Sequence, residues 1–370
     1  MLALKLTKLR IIVDSETNIQ KPKVRSNSKK NVKRLKTLGV IFSLFGIGLF
    51  SYFIYSVGLN AILDGIGKIG FDGFAIILFL YLLKLSVRAT AWRLSVHAPY
   101  QLHFKDTLPA VIMGEALSSM IPLGILISGT AKAVAVRKRV PLVVGLSSVA
   151  TENMFYSFIT ALFICFGAFI FLRQFEIDPT FVYLIDFIIG FIIFCLIIAI
   201  LIVIRQWYWI SAVCDWLYEK GILRSIFEKG RVQVRIFERL ILGFYRKYPK
   251  RFFPLCLLQV AFHSLGILEV WFILSRISET IPSVSTAFFL ETMSRLVTII
   301  FKLIPFLVGV DEAGAEFIVE TLAIGAGIGV TLAIIRKGRT IFWAGIGLIL
   351  ILKRGLSFSE IKEAGNTEIK

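Results

Sequence analysis

Residues 284–335 narrow the folds open to this chain more than any other stretch. They are apolar enough to enter a bilayer, yet they carry Glu291, Arg295, Lys302, Asp311, Glu312, Glu316 and Glu320. A charge at the centre of a membrane helix costs about 2.5–3.5 kcal/mol on insertion scales, so such a run demands partners or water. The spacing offers partners. Glu291, Arg295, Thr298 and Lys302 follow one another at helical intervals along one face, and Glu312, Glu316 and Glu320 do the same. Between the two runs lies IPFLVGVDEAG, Ile304 to Gly314, interrupted by Pro305 and Gly309. Folding the arms back there sets Lys302 level with Glu312 or Glu316, and Arg295 level with Glu320. The stretch reads as a broken, charge-lined helical hairpin inside a membrane protein.

Composition agrees. The chain is 57% hydrophobic with 33 Phe, against roughly 45–50% apolar residues in soluble domains. The fold class expected is an all-α polytopic membrane protein with about 7–8 transmembrane helices and one or two re-entrant hairpins. The apolar runs are continuous rather than alternating, which argues against a membrane β-barrel. The net charge of +18 follows from basic loops at the cytoplasmic face and not from nucleic-acid binding. Cys165, Cys195, Cys214 and Cys256 lack CxxC spacing, and His97, His103 and His263 are dispersed, so no metal site and no cofactor is expected. No P-loop, GxSxG or HExxH motif is present, and the chain does not read as an enzyme.

Taken in order, residues 1–36 form a basic cytoplasmic tail, with eleven Lys/Arg against two acids. Spans are expected at 37–57, 71–93, 141–171, 181–204, 252–274 and 340–352. The stripe Lys84, Arg88, Trp92 is read as snorkelling to the interface, with lining a headgroup path as the alternative. Residues 108–131 are apolar, broken by Pro122, Gly124 and Gly129, and flanked on both sides by basic residues (Arg93, Lys105; Lys132, Arg137, Lys138, Arg139). A single crossing would put one basic flank outside, so two half-helices entering and leaving on one side fit better. The loop 205–251 holds Trp207, Tyr208, Trp209 and Trp216 beside Arg231, Arg235 and Arg239, the pattern of amphipathic helices on the inner leaflet. It divides a single transmembrane domain, 37–354, into halves 37–204 and 252–354, with a short tail at 355–370.

The two interrupted segments sit in comparable places. One carries Glu115, Ser118, Pro122 and Gly129; the other carries Glu291, Ser294, Pro305 and Gly309. Halves of inverted topology, each with a broken helix at a shared site, are a transporter architecture. Inverted halves would enter from opposite sides and put Arg336, Lys337 and Arg339 in the cytoplasm. A full crossing by 284–305 would instead put the C-terminus inside.

IPFLVGVDEAG with the Gly-rich run after it, RKGR at 336–339 and FWAGIGLILIL at 342–352 resemble the C-terminal signature of the lysylphosphatidylglycerol synthase transmembrane family, the flippase-like domains. A looser match covers Gly129-Thr-Ala-Lys132-Ala, the basic turn and Glu152; Thr130 stands where the family often has an acid, and Lys132 where it often has an arginine. The resemblance covers about 37–354. It implies a domain that moves lipids between leaflets, in a stand-alone form without the soluble aminoacyl-transferase domain of fused members.

The function expected is therefore a lipid translocator in the plasma membrane, N-terminus cytoplasmic. A polar or anionic headgroup would pass Glu115, Pro122, Gly129, Lys132, Arg137, Glu152, Glu291, Arg295, Lys302, Pro305, Gly309, Glu312 and Glu316. Half-helix N-termini near Gly129 and Asp311 would add partial positive charge. The partners expected are membrane lipids, with a homo-oligomer or a membrane enzyme left open. The rival reading is a non-transporting scaffold for a lipid- or polyprenyl-sugar-modifying enzyme.

Overall fold

The computed structural model describes residues 55, 59–120, 124–175, 178–220, 224–279, 282–301, 304 and 307–353. Nearly all of the expected first span, the candidate site residues Pro122, Lys302 and Pro305, and both tails lie outside the described residues. The helices are α1 (Leu59–Leu94), α2 (Phe104–Met120), α3 (Gly124–Ala135), α4 (Leu142–Gln174), α5 (Pro179–Arg205), α6 (Trp209–Glu219), α7 (Arg224–Lys247), α8 (Phe252–Ile277), α9 (Val284–Ile300), α10 (Val310–Thr321) and α11 (Ile328–Lys353). No strand occurs among the described residues.

Local chemistry explains several boundaries. Helix α5 starts where the Asp178 carboxylate accepts from the Thr180 N–H at 2.8 Å, with Pro179 in the first helical position. Helix α9 starts where the Ser283 hydroxyl accepts from the Thr286 N–H at 3.1 Å. Helix α1 is two helical segments meeting at Gly70, whose φ is 63°.

Among the described residues four stretches are long and apolar enough to cross a membrane: Leu63–Leu94, Leu142–Gln174, Val182–Arg205 and Pro249–Ile277. Helix α11 has the length, 26 residues, but carries Arg336, Lys337 and Arg339 in its interior. This corrects the sequence reading, which made 336–339 a polar flank and began the last span at 340. The basic residues sit inside the helix because carboxylates from three other helices meet them there. Helices α2 and α3 pack together, and so do α9 and α10, giving the two hairpins expected.

The packing has an internal two-fold pattern. One set is α1, the α2/α3 hairpin and α4; the other is α8, the α9/α10 hairpin and α11. Helix α2 packs on α11 and α9 packs on α4; α3 lies on α4 and α10 on α11; α1 touches α11 and α8 touches α4. Exchanging the sets maps these pairs onto each other. At the centre, α1 and α8 run antiparallel, since Arg251 at the start of α8 donates to the Leu94 and Val96 carbonyls at the end of α1 (3.0 and 2.8 Å). The hairpins open toward opposite ends. Asp106 of the first meets Arg139, just before α4 begins; Phe289 of the second packs tilted against Phe171 and edge-on against Phe175, where α4 ends.

Among the described residues two large apolar layers fill most of the bundle, beside a smaller cluster of Ala91, Phe155, Phe244 and Leu255. Ile77, Phe171, Ile273, Leu290, Leu332 and Ile335 belong to one, and Leu85, Trp92, Met113, Leu117, Trp343 and Ile351 to the other. Helix α11 crosses both, with Arg336–Arg339 between them. The charged residues therefore lie at an intermediate level of the bundle.

At one end, α7 clasps the link between α1 and α2. His97 Nε2 bonds the Leu240 carbonyl at 2.9 Å and its ring meets Phe244 and Tyr248 edge-on. Burial pushes the imidazole below its ordinary 6.5; the Leu240 carbonyl opposes this, while Lys247 and Arg251 add to it. The unfolded chain thus takes the proton first. Stability from this clasp is full above about pH 6.5 and falls as pH drops through that value. The expected melting temperature in detergent is flat above about pH 6.5 and declines below it. His97→Gln should blunt the decline; an equal decline in both proteins would count against this role.

Candidate functional site

The charged residues of the two sets meet in one ion-pair network between the apolar layers. Its foundation is fully buried. Glu291 on α9 accepts from Arg295 one turn on (Nε 2.9 Å, Nη2 2.7 Å) and from Arg336 of α11 (2.8 Å), with the Lys84 ammonium of α1 at 4.0 Å. Glu269 on α8 pairs with Arg339 of α11 and lies 3.5 Å from the same ammonium. Lys84, Glu269 and Glu291 are all at most 1% exposed. Tyr81 and Phe262 complete the surround: the Arg339 guanidinium lies 4.2 Å from the Tyr81 ring centroid and Lys84 lies 5.1 Å from that of Phe262.

Beside this foundation is a less enclosed group. Arg88 of α1 donates to both oxygens of Glu152 on α4 (3.3 Å each) and to Asn153 (3.1 Å). Its Nη1 is 3.7 Å from Glu115 of α2, which also accepts from the Tyr81 hydroxyl at 3.2 Å. The Arg88 guanidinium lies over Tyr156 at 4.7 Å, and Arg295 also lies within electrostatic reach of that phenol. Lys132 of α3 is buried, its stem over Gly114, with its charge felt by Glu115 and Glu152.

The remaining candidates have separate duties. The Glu312 carboxylate accepts from the Gly309 N–H at 2.8 Å and pairs with Lys337 of α11. Gly309 adopts φ 82°, a conformation that favours glycine, and so turns the chain into α10. Glu316 accepts from the Gly327 and Val330 N–H groups and so caps the start of α11.

The structure brings Glu115, Lys132, Glu152, Glu291 and Arg295 together. Three expectations need correction. Arg295 pairs with Glu291, which also takes Arg336, rather than lying level with Glu320, which is exposed; the pairing expected for Lys302 lies outside the described residues. Helix α3 begins at Gly124, so Gly129 lies inside it, against Val149, and offers no free N-terminus. Arg137 is exposed and lies beyond the end of α3.

Lys84 and Arg88 do not snorkel. Lys84 is 1% exposed and the Arg88 side chain 12% exposed, because Glu269, Glu152 and Glu115 hold them inside. Sequence reasoning also missed Tyr81, Tyr156, Arg336, Lys337 and Arg339 as members. Tyr81, Lys84 and Arg88 share one face of α1 at helical spacing, which was the available signal.

Among the described residues at the junction, six cations (Lys84, Arg88, Lys132, Arg295, Arg336, Arg339) face four carboxylates (Glu115, Glu152, Glu269, Glu291). Asp311 adds one further negative charge within reach of Arg336. The field at the junction favours an anion.

Among the described residues no group of three or more His, Cys, Asp or Glu could hold a metal ion. The profile of the family described as Lysylphosphatidylglycerol synthase TM region matches residues 37–347. No curated protein and no solved structure matches the chain.

Proposed function

Since this chain belongs to the family of the lysylphosphatidylglycerol synthase TM region, we propose that it is an integral membrane lipid translocator whose substrate headgroup passes the ion-pair junction. The observation carrying this reading is the place of the junction. Two hairpins from opposite ends of the bundle bring buried charges between two apolar layers. A polar headgroup at that depth would otherwise lose its hydration to hydrocarbon. Charged side chains there supply replacement contacts while acyl chains stay in lipid. Buried ion pairs are costly to assemble and are weak evidence of stability in themselves, which favours a functional reason for keeping them.

The reading extends to orientation. Arg93, Arg139, Arg251 and the α6/α7 pair gather at one end, and the positive-inside rule makes that end cytoplasmic. The N-terminus would share that side, in the plasma membrane. No nucleotide-binding motif accompanies the site in the sequence, so movement would run down a gradient.

The test is reconstitution into liposomes carrying a fluorescent phospholipid, with reduction of outer-leaflet label by dithionite. The expected result is label loss exceeding the half accessible in protein-free vesicles, and a rate lowered by Arg88→Met. If reconstituted protein moves no lipid, the translocator reading fails and the scaffold reading takes its place.

A further inference from the structure

Glu115 differs from every other carboxylate at the junction. Its side chain is 34% exposed, whereas those of Glu152, Glu269 and Glu291 are at most 2% exposed. Its hold on Arg88 is also the weaker one. Glu152 takes Arg88 with two oxygens at 3.3 Å each, while Glu115 reaches the same guanidinium with one oxygen at 3.7 Å. Bidentate pairing is the strong form of this contact, and a partly exposed monodentate pair is the weak one. Glu115 stands on an arm of the first hairpin. Arg295 stands at the same distance from the start of the corresponding arm of the second, and both arms are 17 residues long. The two side chains lie within electrostatic reach of each other, and Arg88 and Arg295 both lie within reach of Tyr156.

We propose that Glu115 is a resident stand-in for the substrate: it occupies the open side of Arg88 when the protein is empty, and the phosphate oxyanion of a lipid headgroup displaces it, held by Arg88 and Arg295 with the Tyr156 hydroxyl donating. The inference rests on the translocator reading and names the chemistry that the site recognises. A carboxylate and a phosphate oxyanion present similar acceptors to a guanidinium, so the exchange keeps Arg88 satisfied throughout. Glu152 does not leave, and its bidentate grip keeps Arg88 aimed while the other partner changes. Return of Glu115 then helps to expel the headgroup, and so the carboxylate that weakens binding also speeds release.

The experiment uses reconstituted full-length protein and labelled phosphatidylglycerol over a range of mole fractions. Glu115→Gln is expected to lower the half-saturating mole fraction about fivefold, the worth of a partly exposed ion pair, and to lower the maximal rate as well. Tyr81→Phe, which removes the hydroxyl that steadies Glu115, should move half-saturation the same way by less. A purely structural role would lower the rate with half-saturation unchanged or raised, and that result overturns the proposal. Labelled glucosyl-diacylglycerol has hydroxyls and no phosphate. It should be moved poorly, and an equal shift for both lipids would also overturn the proposal. Inorganic phosphate added alone should compete weakly; competition as strong as the lipid's would mark a soluble-anion site instead. Binding of phosphatidylglycerol by native mass spectrometry in detergent separates the failures. If wild-type protein moves neither lipid, the translocator reading has failed; if transport is seen and Glu115→Gln retains no more lipid than wild type, only the exchange has.

Discussion

Replacing Glu291 by Leu should be the most damaging single change in the molecule, costing about 3–5 kcal/mol and leaving little folded protein in detergent. The carboxylate is fully buried and receives three hydrogen bonds from Arg295 and Arg336, with Lys84 close by. Its loss takes the hydrogen-bonding carboxylate from two largely buried guanidinium groups, Arg295 and Arg336, and leaves Lys84 to Glu269 alone. Glu291→Gln should do little better, since the amide brings no charge. The converse substitution gives the sharper comparison. Cations outnumber carboxylates at the junction, so Arg336→Met removes surplus charge, and Glu291 keeps both Arg295 and Lys84. Its cost, read from thermal unfolding of the purified proteins, should be clearly smaller. An Arg336→Met protein as unstable as Glu291→Leu would show that the charge balance drawn here is wrong.

The second large effect belongs to Gly329→Leu. A Cβ at this position would lie 2.5 Å from the backbone of Ala315 and Glu316, so even alanine has no room. Backbone atoms cannot rotate aside as a side chain does, and α10 would have to separate from α11. Overpacking of this kind costs about 3 kcal/mol, and occasionally more. The same displacement would pull Glu316 away from the Gly327 and Val330 N–H groups that it caps. Gly345→Leu on the same helix is the control, because a Cβ there meets nothing within 4 Å. The control should melt within about 0.5 kcal/mol of wild type, as surface changes do. Equal destabilisation by both substitutions would mean that glycine matters on α11 for some reason other than the close crossing.

Sequence alone reveals elements whose signals are local. Proline and glycine interruptions mark both hairpins, and long apolar runs place α4, α5 and α8 to within a few residues. The i, i+4 spacing of Glu291 and Arg295 predicts a shared face, and the structure bonds them. Choice of partner is another matter. Glu291 meets Arg336, and Glu269 meets Arg339 across 70 positions of chain. No window of sequence contains both members of such a pair. Lys84 and Arg88 looked like interfacial residues because a cation near a helix end ordinarily reaches for water. What keeps them inside is a set of carboxylates contributed by α4, α8 and α2. Arg336–Arg339 misled for the same reason. A basic cluster between apolar runs has the hydropathy of a loop, and only its acidic counterparts make it the middle of a helix.

Helix α11 also says something about how the chain is made. Its three interior basic residues, Arg336, Lys337 and Arg339, would each resist entry into hydrocarbon by about 2.5–3.5 kcal/mol if the helix left the translocon by itself. The carboxylates that neutralise them, on α8, α9 and α10, are all synthesised earlier. Helix α11 is thus admitted to the bilayer by the helices made before it, and assembly of this membrane protein must run from the first half toward the second, with the junction sealed only after α11 has been made.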